Sequence, residues 1–191
     1  MKPKILAFAG STRTESFNKR LVKIAAAGAM EGGADVTVID LRDYAMPLYD
    51  GDLEQQQGIP SNARKLKDLM LSHQGFLISA PEYNSSISGV LKNTIDWTSR
   101  QSDGEAPLAC YKNKVVGIMS ASPGGLGGLR GLVHVRAILE NIGALVIPDQ
   151  IAISKAHEAF AIEGNLKDKK QEDRVKKIGS SVAKLLLKLS S

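Results

Sequence analysis

The stretch FAGSTRTESFN, Phe8–Asn18, follows an apolar run and opens a helical pattern, and its side chains are of the kind that hold an anion. Ser11, Ser16 and Asn18 offer hydroxyl and amide donors, and Arg13 offers a guanidinium. A helix N-terminus behind them adds free N–H groups and the positive end of its dipole. Gly10 stands alone. A dinucleotide fingerprint needs G-x-G-x-x-G and a Walker loop needs GxxxxGK[ST]; neither pattern is present. The set suits one terminal phosphate, with Arg13 neutralising a dianion. It also reads as a polar turn in which Ser16 merely caps the helix.

Two further loops carry related chemistry. Pro81–Gly89, PEYNSSISG, is a stiff polar turn that can show backbone N–H groups to a planar heteroaromatic ring while Tyr83 covers an edge or face. Ser120–Gly128, SASPGGLGG, permits the close backbone approach that a flat ring in a cleft requires. Each has a plainer reading, because Pro-Asn-Ser turns and glycine-rich turns also occur with no ligand. Taken together, a phosphate at one end and a flat ring at the other describe a mononucleotide, and FMN is the candidate.

These loops need elements to position them. Lys4–Ala9 is a buried-strand pattern, followed by a helix from about Phe17 to Met30 that Gly32 and Gly33 stop. Asp35–Leu41 reads as the second strand and Arg42–Pro60 as a loop. A helix over Ser61–His73 leads into a third strand, Gly75–Ala80. Ser88 caps a helix running to about Ser99. Lys114–Ser120 is the fourth strand, Leu129–Asn141 a helix, Ala144–Pro148 the fifth strand, and Glu172–Leu189 the final helix. Alternation of this kind predicts one α/β domain over residues 1–191, with a parallel sheet between two helical layers. Five strands suit the flavodoxin-like order 2-1-3-4-5, which puts ligands at the strands' carboxyl ends. The three loops follow strands one, three and four.

Several function classes fall away. The net charge is +5 and the pI about 9.3, but the basic tail interleaves both signs, as a solvated helix face does, so nucleic acid is set aside. No apolar run approaches the ~20 residues that span a bilayer, and no leader opens the chain. The lone Cys110 excludes an intramolecular disulfide and suits a reducing cytoplasm. Residues 111–117, YKNKVVG, lack the Arg of a Cys-based phosphatase loop, so Cys110 reads as an inert thiol. His73, His134 and His157 are scattered, so no metal site is expected. Phe8-Ala9-Gly10 and Ser79-Ala80-Pro81 lack the acids of a phospho-receiver, and no G-x-S-x-G elbow exists.

The segments GSTRTESFN, PEYNSSISGVLKNTIDW and SASPGGLGGLR resemble the NADPH-dependent FMN reductase family, in its chromate and quinone reductase branch, across roughly Lys4 to Ile151. The resemblance implies non-covalent FMN. Its phosphate would be held by Ser11, Arg13, Ser16, the Phe17 backbone and Asn18. Its ring would be held by Pro81, Glu82, Tyr83 and Asn84, with Ser122, Gly124 and Gly125 flanking it. It also implies NADPH or NADH as the donor, and an acceptor that takes the donor's place: quinone, free flavin, azo dye, nitro compound, ferric chelate or chromate. The cofactor carries the electrons, so no catalytic dyad is required. Arg100 is the candidate cation for an anionic substrate; it also reads as a solvent-facing Arg or an interface ion pair.

Val90, Leu91, Ile95 and Trp97 do not fit one narrow stripe of their helix. One side would pack on the sheet and another on a partner subunit, while the Tyr44–Tyr49 loop covers that partner or a neighbouring flavin. A homodimer or homotetramer is expected. The rival from another class is a non-enzymatic flavodoxin-like electron carrier. Such carriers usually present an acidic face, and this chain is basic.

Overall fold

The computed structural model describes residues 2–102 and 104–190. Its first half runs β1 (Lys4–Ala9), α1 (Phe17–Glu31), β2 (Asp35–Ile39), a 3-10 turn (Leu41–Tyr44), α2 (Gly51–Gln57), α3 (Ser61–Ser72) and β3 (Gly75–Ser79). Then come β4 (Glu82–Tyr83), β5 (Ser86–Ile87), α4 (Gly89–Thr98), β6 (Val115–Ala121), α5 (Leu129–Asn141), β7 (Leu145–Ile153), α6 (Ala156–Ala159) and α7 (Lys169–Leu189). The main sheet is parallel, in the order β2-β1-β3-β6-β7. With the small β4–β5 hairpin set aside, this is the expected flavodoxin-like 2-1-3-4-5.

The central strands are apolar on both sides because both sides are covered. Ile5, Ala7 and Ala9 of β1 face α1 and α7, while Leu6 and Phe8 face the layer of α3, α4 and α5. α1 and α7 approach so closely that a Cβ on Gly28 would meet Lys176 O at 2.1 Å, and one on Gly179 would meet Ala25 O at 1.9 Å. Larger residues there would force the two helices apart.

Four departures from the sequence pattern have physical causes. β2 stops at Ile39 because the Asp40 carboxylate accepts from Arg42 N at 3.0 Å and turns the chain. α2 lies inside the expected loop and buries none of its residues, so it carries no apolar period. β7 continues past Pro148 to Ile153; it is an edge strand, and a shift of register between Val116 and Ile118 absorbs the proline. α7 begins at Lys169, capped by Asp168, whose carboxylate accepts from Lys170 N and Gln171 N.

The segment before α2 settles what covers α4. Trp97 is fully buried and donates from Nε1 to Pro47 O at 2.8 Å, with the Tyr49 ring edge-on 5.0 Å away. Asn93 donates to Pro47 O and accepts from Tyr49 N. The side of α4 assigned to a partner subunit is therefore covered by the chain's own 47–49 segment. Cys110 is buried, and desolvation pushes its thiol up to about 11. His73 bridges Leu69 O and Thr37 Oγ1, His134 meets Ser86 Oγ, and His157 meets Glu158. Among the described residues no group could hold a metal ion, and no helix is long and apolar enough to cross a membrane.

Candidate active site

The loops after β1, β3 and β6 meet at the carboxyl edge of the sheet. Ser11, Arg13, Ser16, Phe17 and Asn18 line one cleft with Pro81, Glu82, Tyr83, Ala121, Ser122 and Pro123, around a cavity of about 60 Å³. Of the other expected residues, Asn84 lies on the hairpin turn and Gly124 and Gly125 on the loop just beyond Pro123; Arg100 stands apart.

At the first loop Ser16 caps α1, its Oγ accepting from Lys19 N at 3.4 Å. The Phe17 and Asn18 amides are left at the open end of the helix, where an anion is favoured. Ser11 Oγ accepts from Arg13 N at 3.3 Å. The Arg13 side chain is exposed, and among the described residues its guanidinium has no hydrogen-bond or ion-pair partner. Asn18 does something the sequence does not reveal. Its Nδ2 donates to Ala121 O at 2.8 Å, and its Oδ1 accepts from Ala121 N at 3.0 Å and Ser79 Oγ at 2.8 Å. It ties the start of α1 to the ends of β3 and β6. Phe17 stacks on Phe160 at 5.8 Å.

The second loop is a two-residue hairpin. Glu82 pairs with Ile87 and Tyr83 with Ser86, leaving Asn84 and Ser85 at φ +50° and +66°, the left-handed turn that brings β5 back. Glu82 clamps this hairpin to α5: its Oε1 accepts from Arg130 at 2.8 and 3.0 Å, and its Oε2 from Gly131 N at 3.1 Å. Burial pushes the Glu82 carboxyl upward, but the Gly131 amide and the Arg130 guanidinium outweigh it and hold the group below its ordinary value. Ser88, besides capping α4, donates from Oγ to Gly10 O at 2.6 Å and so joins the first two loops. Arg130 and Ser79 are supporting residues that sequence reasoning misses, and of Ser88 it gives the cap but not the bond to Gly10. The Glu82–Arg130 pair spans 48 residues, so no local pattern announces it.

The third loop leaves space. A Cβ on Gly125 would meet nothing within 4 Å, and one on Gly124 only Ser122 Oγ at 3.7 Å. Neighbouring protein atoms do not require glycine there, so the bare backbone suits a flat group lying against it. Gly128 is different. It sits at φ +93°, and a Cβ would fall 1.9 Å from the buried Ser120 Oγ.

Arg100 donates from Nε to Glu54 Oε1 at 2.8 Å and lies over the Tyr49 ring, 5.5 Å from its centroid. Glu54 Oε2 also accepts from Tyr49 OH at 2.9 Å. Burial raises the Glu54 carboxyl, but bonds from Arg100 and Tyr49 bring it below its ordinary value. Lys67, itself buried, bonds Glu105 at 2.6 Å and the Arg100 carbonyl, anchoring the segment that carries Arg100.

The family described as NADPH-dependent FMN reductase matches residues 3–158. The chain belongs to that family. Its relatives include a quinone reductase of Escherichia coli, 39% identical over 150 residues that cover 76% of this chain and 74% of that one. An NAD(P)H-dependent FMN reductase of Pseudomonas aeruginosa is 32% identical, covering 90% and 89%. Among solved structures, FerB, a flavoenzyme NAD(P)H:(acceptor) oxidoreductase of Paracoccus denitrificans, superposes with a TM-score of 0.80 at 25% identity, covering 97% of this chain and 98% of that one.

The residues present fit FMN. An unpaired guanidinium stands beside an open helix N-terminus for the phosphate, and bare glycine backbone with Tyr83 borders the place for a ring. FMN, when bound, supplies the transfer of hydride and electrons between nicotinamide and acceptor. The protein's part is to bind, orient and shield. Arg13 and the Phe17 and Asn18 amides would hold the phosphate, Pro81–Asn84 and Ser122–Gly125 the ring. The Asn18, Ser88 and Glu82–Arg130 bonds keep the three loops in register.

Proposed function

We propose that the protein is an FMN-dependent NAD(P)H oxidoreductase that passes electrons to quinones, with chromate, azo, ferric or free-flavin acceptors open to the same exposed ring. The observation that carries this reading is the convergence of the three loops on one cleft, with an unpaired cation at one end and bare backbone at the other. For Arg100 we propose the weaker role of drawing in an anionic substrate. Its side chain is 45% exposed, and only Nε is spent on Glu54. We also propose a cytoplasmic homodimer or homotetramer. Support for assembly comes from Leu126, Leu129 and Val133, exposed at the start of α5 beside the exposed Tyr83, a patch that soluble proteins usually cover. The lone buried Cys110 suits a reducing compartment.

Purified protein supplied only with NADPH and a benzoquinone should oxidise NADPH catalytically and carry about one FMN per chain. An electron carrier would hold the flavin yet need a separate reductase, so FMN-replete protein that leaves NADPH unoxidised would reverse the assignment. Light scattering tests the assembly, and a monomer at working concentration would refute that part.

A further inference from the structure

Among the described residues that line the cofactor cleft, Glu82 brings the one carboxylate and Arg13 the one cation. Arg13 belongs to the loop assigned to the phosphate, whereas Glu82 stands on β4, in the hairpin assigned to the ring. A carboxylate is an awkward neighbour for a ring that must be reduced. Hydride brings two electrons and one proton, so the reduced ring carries one negative charge more than the oxidised ring. A fixed anion beside it opposes that change. The Glu82 side chain is only 9% exposed, so water and salt screen it little.

The charge is matched by a residue that does not itself line the cleft. Arg130, in the first turn of α5, donates to Glu82 Oε1 from Nε at 3.0 Å and from Nη2 at 2.8 Å. Contact between the hairpin and α5 does not depend on this pair alone. A Cβ on Gly131 would meet Ser86 O at 3.2 Å, and Ser86 Oγ lies 2.9 Å from His134 Nδ1. The Gly131 amide, donating to Glu82 Oε2 at 3.1 Å, adds a further tie. What Arg130 alone supplies is the positive charge that cancels the carboxylate.

We propose that the Glu82–Arg130 pair balances charge beside the flavin, and that Arg130, acting through Glu82, raises the reduction potential of the bound ring. Glu82 can then hold the hairpin to α5 through two bonded oxygens without placing a net negative charge where the ring is reduced. Arg130 is thus a positioning residue with an electrostatic effect, set apart from Arg13, whose cation meets the phosphate. The inference rests on the reductase reading, which puts the FMN ring against the hairpin.

The test is an anaerobic redox titration of the purified flavoprotein against a reference dye at neutral pH, on the parent and four variants. In Arg130→Met the Gly131 amide still bonds the carboxylate and keeps it ionised. Its potential should fall by about 30 mV, a tenfold loss in preference for reduced over oxidised flavin in a two-electron couple. Glu82→Gln should shift the potential upward, and less far, because the Arg130 side chain left behind is 58% exposed and better screened. The combined variant, with neither charge, should return close to the parent, and Arg130→Lys should stay there. A pair that serves only as a clamp would lower FMN affinity and the melting temperature of the flavin-free protein in both single variants without opposite shifts in potential. An unchanged potential in flavin-bound Arg130→Met, or shifts of one sign in both single variants, would overturn the inference and leave the reductase reading standing. A parent protein that binds no FMN would end that reading and this inference with it.

Discussion

Two arginines are candidates to meet an anion, Arg13 in the cofactor cleft and Arg100 apart from it, and they differ in what already holds them. Arg13 is exposed on the loop after β1 with no partner among the described residues. Arg100 is bonded to Glu54, laid over Tyr49, and anchored through its own carbonyl by Lys67. An unpaired cation beside a helix N-terminus is available for a ligand's phosphate. A paired cation on a stacked ring already ties Arg100 to Glu54 and Tyr49 and has only the rest of its guanidinium left for a substrate. Residue type alone does not assign a role; the partner already present does.

The largest effect should come from Arg13→Ala. Loss of charge-assisted bonds worth about 1.5–3 kcal/mol would weaken FMN binding about ten- to hundredfold, read as flavin released on dialysis. The melting temperature of the flavin-free variant should not move. Asn18→Ala should show the opposite pattern. It leaves the buried Ala121 amide and carbonyl without partners, so the flavin-free protein should lose about 1–3 kcal/mol by urea unfolding. An Asn18 variant as stable as the parent would break the distinction between a residue that holds the ligand and one that holds the loops.

How much of this is visible in the sequence differs between the two sides. The strand order and the place of the three loops are legible, because buried strands are continuous apolar runs and the polar segments that follow strands one, three and four stand out between them. α2 is not, since Gly51–Gln57 buries nothing and so has no period to read. The role of Asn18 is not, because an amide that bonds backbone and one that bonds phosphate have the same letter. The hairpin is hidden as well: its strands are two residues long, and Ser85 occupies a positive-φ position where glycine is the usual signal. The cover over Trp97 depends on Pro47 and Tyr49, some fifty positions away along the chain.

Smaller effects sharpen the second side. Arg100→Ala should retain FMN, raise the KM for anionic substrates a few-fold, and cost at most about 1 kcal/mol of stability, because its ion pair is half-exposed. Flavin loss equal to that of Arg13→Ala would erase the contrast. Glu54 adds a pH test. Its folded carboxyl lies below its ordinary 4.5, so its stabilising contribution is complete above about pH 4.5 and is lost as the pH falls through the lower folded value. The stability difference between the parent and Glu54→Gln should therefore be present at neutral pH and vanish in acid. A difference that grows on acidification would contradict this sign.

The most direct test of the central claim is a visible spectrum of the purified protein, recorded anaerobically before and after NADPH and again after a quinone. An oxidised flavin spectrum that bleaches with NADPH and returns with the quinone is the predicted result. A colourless protein that cannot be reconstituted with FMN, or a bound flavin that NADPH leaves oxidised, would contradict it.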